Sequence, residues 1–347
     1  MSNLAGRQPI VIGENIHATR VVLRKGGRVA ERAGAEVVLY ETEDGQARHI
    51  DIPDAVKRTK DYDEGRVKHV QLAIETAMGE IGDDPDQGIR FLRALVANQE
   101  KAGADILDLN VDEISPKLAR QTATMAWLVA TIQGMTELPL SVDSSSVEVI
   151  RSGLEAHDSG RTRPLLNSAS LERLEALDLA ATHHARVVVT AAGAKGMPDG
   201  SDQRIENASA MVEAAQMRGF ALDDIFIDPL VFPVAVDTQF GLHCLDAIRG
   251  LRERHGPEIH ITGGISNVSF GIPSRQLLNQ MFLVLAIEAG ADCGIIDPVA
   301  SPLAQLDSID RYAPPYDMAA SVLLGHDEHC KNYIRAWRKG ELALPSR

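Results

Sequence analysis

ADILDLNV (104–111) and LPLSVDS (138–144) are two apolar runs of strand length, closed at once by a carboxamide, Asn110, and a carboxylate, Asp143. RPLLNSAS (163–170), IFIDPLV (225–231) and TGGISN (262–267) repeat the design with Asn167, Asp228 and Asn267. Helix-patterned stretches separate these segments. Strands that are apolar throughout and alternate with helices form a parallel sheet covered on both faces. In a parallel α/β barrel that layout sets the polar strand ends around one mouth. A ring of Asp and Asn suits a flat heterocycle rich in hydrogen-bond donors and acceptors. It repels phosphate.

Working outward, PIVIGENI (9–16), RVVVTAAG (186–193), EIHITGGIS (258–266) and CGIIDPV (293–299) bring the strand candidates to eight. Apolar residues in the intervening stretches recur at i, i+3, i+4 and i+7, the helical period. Eight such units fill roughly 250 residues, the size of a (β/α)8 TIM barrel in the α/β class. A doubly wound sheet would carry a Gly-rich turn after its first strand, and VIGENIHATR (11–20) has no GxGxxG.

The chain reads as one domain, 1–347, with an insertion at about 21–84 and a closing helix at about 315–339. Within the insertion, EVVLYETEDGQARHIDIP (36–53) predicts a hairpin turning at Asp44-Gly45. DAVKRTKDYDEGRVKHVQLAIETAMGEIG (54–82) predicts one long polar helix. The insertion serves either the scaffold and oligomer or the site itself.

A net charge of −14 argues against nucleic acid and anionic membranes as partners. MSNLAGRQPI (1–10) has no apolar signal core, and the apolar run MFLVLAIEAGA (281–291) is interrupted by Glu288 and too short to span a bilayer. Cys244, Cys293 and Cys330 show no CxxC spacing, which fits a reduced, cytoplasmic setting.

Each candidate has a plainer reading. Asp143 and Asn167 could cap the helices that follow them, and Asp297 in IIDP reads as such a cap. Glu14 binds ligand or is a buried structural carboxylate. His326, His329 and Cys330 in HDEHC lack a fourth ligand, so no metal is expected. The Gly pair of TGGISN lacks the neighbouring cations of a sugar-phosphate loop. Lys195 reads as a surface lysine, with contact to a substrate tail as the alternative.

GENIHATR (13–20), LDLNV (107–111), LSVDSSS (140–146), LLNSAS (165–170), FIDPL (226–230) and GGISNVSFGIPSR (263–275), followed by LLNQMF, occur in this order at barrel-unit spacing. Together, over about residues 9–20 and 85–335, they resemble the pterin-binding methyltetrahydrofolate:corrinoid methyltransferases, relatives of dihydropteroate synthase. The resemblance implies a TIM barrel, a homodimer, and methyl transfer between N5 of tetrahydrofolate and the cobalt of a corrinoid. That corrinoid, a cobalamin, would sit on a partner corrinoid-binding protein. By motif, Asp143, Asn167 and Asp228 hold the pterin, Asn110 and Glu14 line the same mouth, and Asn267 lies near N5 as the catalytic group. Two departures stand out. The family's Gly-Glu-Arg-Ile-Asn is here Gly13-Glu14-Asn15-Ile16-His17, and its Gly after DLNV is Asp112.

The chemistry agrees with the residue types. A reduced pterin presents a 2-amino group and ring N–H donors beside a carbonyl acceptor. Carboxylates answer the donors, and carboxamides answer both kinds. The methyl on 5-methyltetrahydrofolate is a poor electrophile, so hydrogen bonding at N5 must strengthen toward the transition state. Dihydropteroate synthase is the nearest rival, but the Lys and Arg-x-His of that family have no counterpart in TGGISNVS and CGIIDPV. A non-catalytic folate-binding subunit is the rival of another class.

Overall fold

The computed structural model describes residues 8–342. Its barrel strands are β1 (Ile10–His17), β2 (Ile106–Asn110), β3 (Leu140–Asp143), β4 (Leu165–Ala169), β5 (Arg186–Thr190), β6 (Ile225–Asp228), β7 (His260–Ile261) and β8 (Cys293–Ile296). These are the eight segments expected. They form one sheet in the order β7-β6-β5-β4-β3-β2-β1-β8. The ring closes between β7 and β8, where the Asp292 and Ile295 N–H groups donate to the carbonyls of Ile261 and Gly263. The fold is a (β/α)8 barrel.

The helices are α1 (Pro85–Lys101), α2 (Leu118–Gln133), α3 (Val147–Ala156), α4 (Glu175–Thr182), α5 (Ser201–Gln216), α6 (Phe240–His255) and α7 (Arg275–Ala289). Their limits follow from local chemistry. Asp84 caps α1 by accepting from the Asp86 N–H, and Pro85 opens it without wasting a donor. The strands are buried on both faces: Val187, Val188 and Val189 of β5 are all fully enclosed.

The chain clusters into two compact units, Gly13–Leu165 and the remainder. In the first, β2 pairs with β3 in parallel, with Asn110 level with Asp143. In the second, β5 pairs with β6, with Thr190 level with Asp228.

The insertion hairpin forms as expected, with Ala35–Glu41 antiparallel to Ala47–Asp51 and Gly45 at its turn. Val29–Arg32 adds a third strand. The single long helix expected over 54–82 is not present. That stretch is broken into helices Asp54–Lys57, Lys60–Asp63 and His69–Ala77, with strand Arg66–Lys68 among them. Gly65 at φ +81° ends the second turn, and the next three residues pair with Val21–Leu23. Tyr62 is then drawn inward: its hydroxyl donates to Glu36, and the Arg24 guanidinium lies 3.7 Å over its ring.

The closing helix is likewise two helices, α8 (Pro314–Leu323) and α9 (Lys331–Arg338). Gly325 takes φ +75°, and the buried Asp327 carboxylate accepts from the N–H groups of Asn332 and Tyr333. Gly supplies the left-handed residue that stops one helix, and Asp takes the orphan donors that start the next.

Candidate active site

In the first unit the polar groups gather at the C-terminal ends of β1, β2 and β3. His17 Nε2 and Asp108 Oδ2 lie 2.8 Å apart. Asn110 donates from Nδ2 to Asp143 Oδ2 at 2.8 Å, and its own Oδ1 accepts from the Asp112 N–H at 3.0 Å. Asn110 therefore orients Asp143. Asp112, the residue in place of the family's glycine, accepts from the Ser144 hydroxyl and from the Ser145 N–H. It ties the loop after β2 to the loop after β3. Glu14 lies 3.6 Å from Arg20.

The electrostatics are strained in a specific way. Burial raises the Asp143 carboxyl to about 7; the charges of Asp108 and Asp112 add to that, while His17 and the Asn110 hydrogen bond oppose it. Burial works against a charge on His17. The hydrogen bond that its ring N–H gives to Asp108 and the charges of Asp108, Asp143 and Glu14 outweigh it, so the imidazole pKa is raised. Ligand atoms of His17, Asp108 and Asp143 lie within 4.8 Å of one another, a spacing that would also admit a metal ion. Two hydrogen bonds already occupy them.

In the second unit Asn167 is buried on β4, and its peptide with Ser168 is cis. Asp228 ends β6, and its Oδ1 accepts from the Leu230 N–H at 2.8 Å. Burial raises its carboxyl to about 6, with the Leu230 hydrogen bond and the charge of Arg204 pulling the other way. Asn267 stands on a short 3-10 turn, Ile265–Ser269, after β7. The two glycines of TGGISN explain themselves here. A Cβ on Gly263 would lie 3.2 Å from Asp228 Oδ1, and one on Gly264 would lie 2.8 Å from Asn267 Nδ2. A side chain at Gly264 would displace the Asn267 carboxamide, and one at Gly263 would press on Val231 and Asp228.

The plainer readings fare unequally. The N-caps of α3 and α4 are Ser146 and Leu174, so neither Asp143 nor Asn167 is the cap residue of the following helix. Asp297 is not a helix cap either: it closes a turn by accepting from the N–H groups of Val299 and Ala300, and the 3-10 helix that follows, Leu303–Ser308, has Pro302 at its N-cap. Cys330 is buried with its thiol directed at the Val234 carbonyl, and His329 is exposed beside Glu328. Lys195 is exposed.

His17, Asp108 and Arg204 are not among the residues that the sequence marks as site candidates. Asp108 had a signal: it lies two residues before Asn110, hence on the same strand face. His17 sat in the quoted opening motif. Arg204 had none, because an arginine in an amphipathic helix ordinarily faces water.

A (β/α)8 barrel with partly buried carboxylates and carboxamides at its strand ends belongs to the ligand-binding barrel enzymes. Residues 83–297 match the family described as pterin binding enzyme, and the chain belongs to that family. It is 30% identical over 258 residues to the methylcorrinoid:tetrahydrofolate methyltransferase of Eubacterium limosum, a match covering 73% of this chain and 89% of that one. It is 31% identical over 254 residues to the methionine synthase of Mycobacterium leprae, covering 69% of this chain but 20% of that protein's length. In structure it resembles dihydropteroate synthase from Stenotrophomonas maltophilia, with a TM-score of 0.52 and 20% identity, covering 65% of this chain and 87% of that one. That likeness is one of fold.

Proposed function

We propose that this protein is a methyltransferase that moves a methyl group between N5 of tetrahydrofolate and the cobalt of a corrinoid carried by a partner protein. It would serve within a multi-component methyl-transfer system and, following the family resemblance, act as a homodimer. The observation that carries the reading is that half-buried Asp143, Asp228 and Asn110 and buried Asn167 stand at strand ends in the pterin-family motifs, with Asn267 exposed on the turn after β7. The Eubacterium limosum relative, matched over 89% of its length, points to the same chemistry.

In this reading Asp143 and Asp228 accept from the donor edge of the pterin, with charge assistance. Asn167 meets the non-reacting part of the ring, and Asn110 and Glu14 complete the mouth. Asn267 hydrogen-bonds at N5. As the methyl leaves, charge builds on N5, and a neutral donor fixed there stabilises the transition state more than the ground state. The corrinoid supplies the metal centre that takes or gives the methyl group.

The loops after β5, β6, β7 and β8 leave Met197, Val236, Phe270 and Val299 exposed. Large apolar side chains on consecutive loops at the C-terminal ends of the strands suit a macromolecular partner. Among the described residues no helix is long and apolar enough to cross a membrane.

The test is single-turnover methyl transfer from 5-methyltetrahydrofolate to cob(I)alamin, followed in the visible spectrum. Titration calorimetry with tetrahydrofolate runs beside it. Binding together with transfer supports the reading; absence of pterin binding by the unmutated chain defeats it. A cobalamin band that survives gel filtration of this polypeptide alone contradicts the two-protein scheme.

A further inference from the structure

Arg204, on α5, is fully buried and heads the enclosed side chains by volume. Its Nε donates to the Pro229 carbonyl and its Nη1 to the Gly200 carbonyl, both at 3.0 Å. The guanidinium stands 4.8 Å over the Phe232 ring. Nη2 has no hydrogen-bond partner among the described residues. A buried cation left partly unsatisfied is costly, and a core position would more cheaply hold an apolar residue. Leu230, just beyond Pro229, has φ +67°, a conformation unfavourable for a residue with a side chain. Its N–H is held by Asp228 Oδ1, and the preceding carbonyl is held by Arg204.

We propose that Arg204 is a positioning residue: it locks the Asp228-Pro229-Leu230 turn and keeps the Asp228 carboxylate ionised and aimed at the donor edge of the pterin. The proposal rests on the reading of Asp228 as a pterin contact. It links two features with no other common cause, a fully buried guanidinium and a carboxylate at a strand end, through the carbonyl one residue beyond that carboxylate. The titratable groups that interact with the guanidinium are Asp228 and Cys244. The thiol of Cys244, on α6, is pushed up to about 12 by burial and stays neutral. Among the described residues the one charge that acts on Arg204 is therefore that of Asp228, and its attraction opposes the burial that favours the protonated acid.

The experiment compares the full-length protein with Arg204→Met, Arg204→Lys and Asp228→Ala. Tetrahydrofolate affinity is measured by calorimetry from pH 5 to 8.5, and the Asp228 carboxyl is titrated by carbon NMR in the ligand-free protein. Arg204→Met is expected to raise the Asp228 pKa by about one unit and to weaken binding about tenfold near neutral pH. Arg204→Lys keeps the charge but not the two-pronged hold on the turn. It is expected to leave the Asp228 pKa near its native value while weakening binding about fivefold or more. An Asp228 titration unmoved in Arg204→Met, or native affinity in Arg204→Lys, overturns the proposal. If Arg204→Met fails to fold, Arg204→Lys decides alone: native affinity overturns, weaker binding with an unmoved titration supports. Native protein that binds no pterin, or that binds equally well as Asp228→Ala, defeats the pterin reading instead. The NMR titration still judges the Arg204–Asp228 coupling in that case.

Discussion

Asp292 and Asp228 lie at opposite ends of β8 and β6, the two strands that flank β7 in one unit, and their surroundings differ completely. Asp292 precedes β8, at the N-terminal end. Its carboxylate takes Arg252 at 2.9 Å, the His260 ring nitrogen at 2.8 Å and the Ile261 N–H at 2.8 Å. Arg252 in turn donates to the carbonyls of Gly290, Gly256 and Ile259. Every strong donor there has an acceptor. Asp228 closes β6 at the other end and is given one backbone N–H and a guanidinium that reaches it only through the next residue's carbonyl. Asp143, in the other unit, is similar: the charge of His17 and one amide donor from Asn110 stand against two repelling carboxylates, Asp108 and Asp112. A carboxylate supplied with partners braces the fold. One half-buried with too few is kept for a ligand that brings its own donors.

The largest effect should come from breaking the well-supplied end. Asp292→Ala leaves Arg252 buried without its anion and is expected to cost about 3–5 kcal/mol in urea unfolding. The variant should bind tetrahydrofolate normally wherever it remains folded. A comparable loss of pterin affinity in the folded variant would erase the distinction between the two ends.

Next comes Asn267→Ala, expected to slow methyl transfer about 10²–10³-fold at saturating pterin with little change in affinity. Asn167→Ala is its control and should act on binding. Equal single-turnover rates for Asn267→Ala and the unmutated enzyme would remove Asn267 from the chemistry.

Asp228→Ala and Asp143→Ala should each weaken tetrahydrofolate binding by about 1.5–3 kcal/mol, read by calorimetry. Unchanged affinity in both would show that these carboxylates await something other than a pterin.

The smallest effect sharpens the comparison through pH. The folded pKa of Asp143 lies near 7, above the ordinary carboxylate range. Between about pH 4 and 7 the native state binds this proton while the unfolded chain does not, so stability falls as pH rises through that window, and the full cost remains above it. Asp143→Asn removes that cost and is expected to stabilise the fold by about 1–2 kcal/mol at pH 8, with the advantage fading toward pH 5. Its pterin affinity should fall at the same time. Urea midpoints for the two proteins at both pH values check this, and a destabilised Asp143→Asn at pH 8 would contradict it.

The sequence alone determined the barrel. Each strand is an apolar run short enough to cross one layer, each helix carries its own period, and both patterns depend on neighbours along the chain. It also determined which residues end the strands, because a polar residue closing an apolar run is visible as text. Alternation along a strand was enough in principle to place Asp108 beside Asn110.

Other features waited for the tertiary structure. The chain 54–82 has helical composition, but its breaks come from Gly65 and from Tyr62 meeting Glu36 and Arg24, contacts 26 and 38 residues away in sequence. The glycines of TGGISN were legible as letters, yet their purpose is to leave room for Asp228 and Asn267, which requires atoms in space. In sequence Asn110 reads as one more ligand contact, whereas in the structure its two polar groups hold Asp143 and the Asp112 N–H. Arg204 is the limiting case. Helix periodicity assigns a charged residue to solvent, and only the packed interior, where its guanidinium meets the carbonyl after Asp228, turns it inward. Local patterns are decided by neighbours in the chain, and the state of a buried charge by neighbours in space.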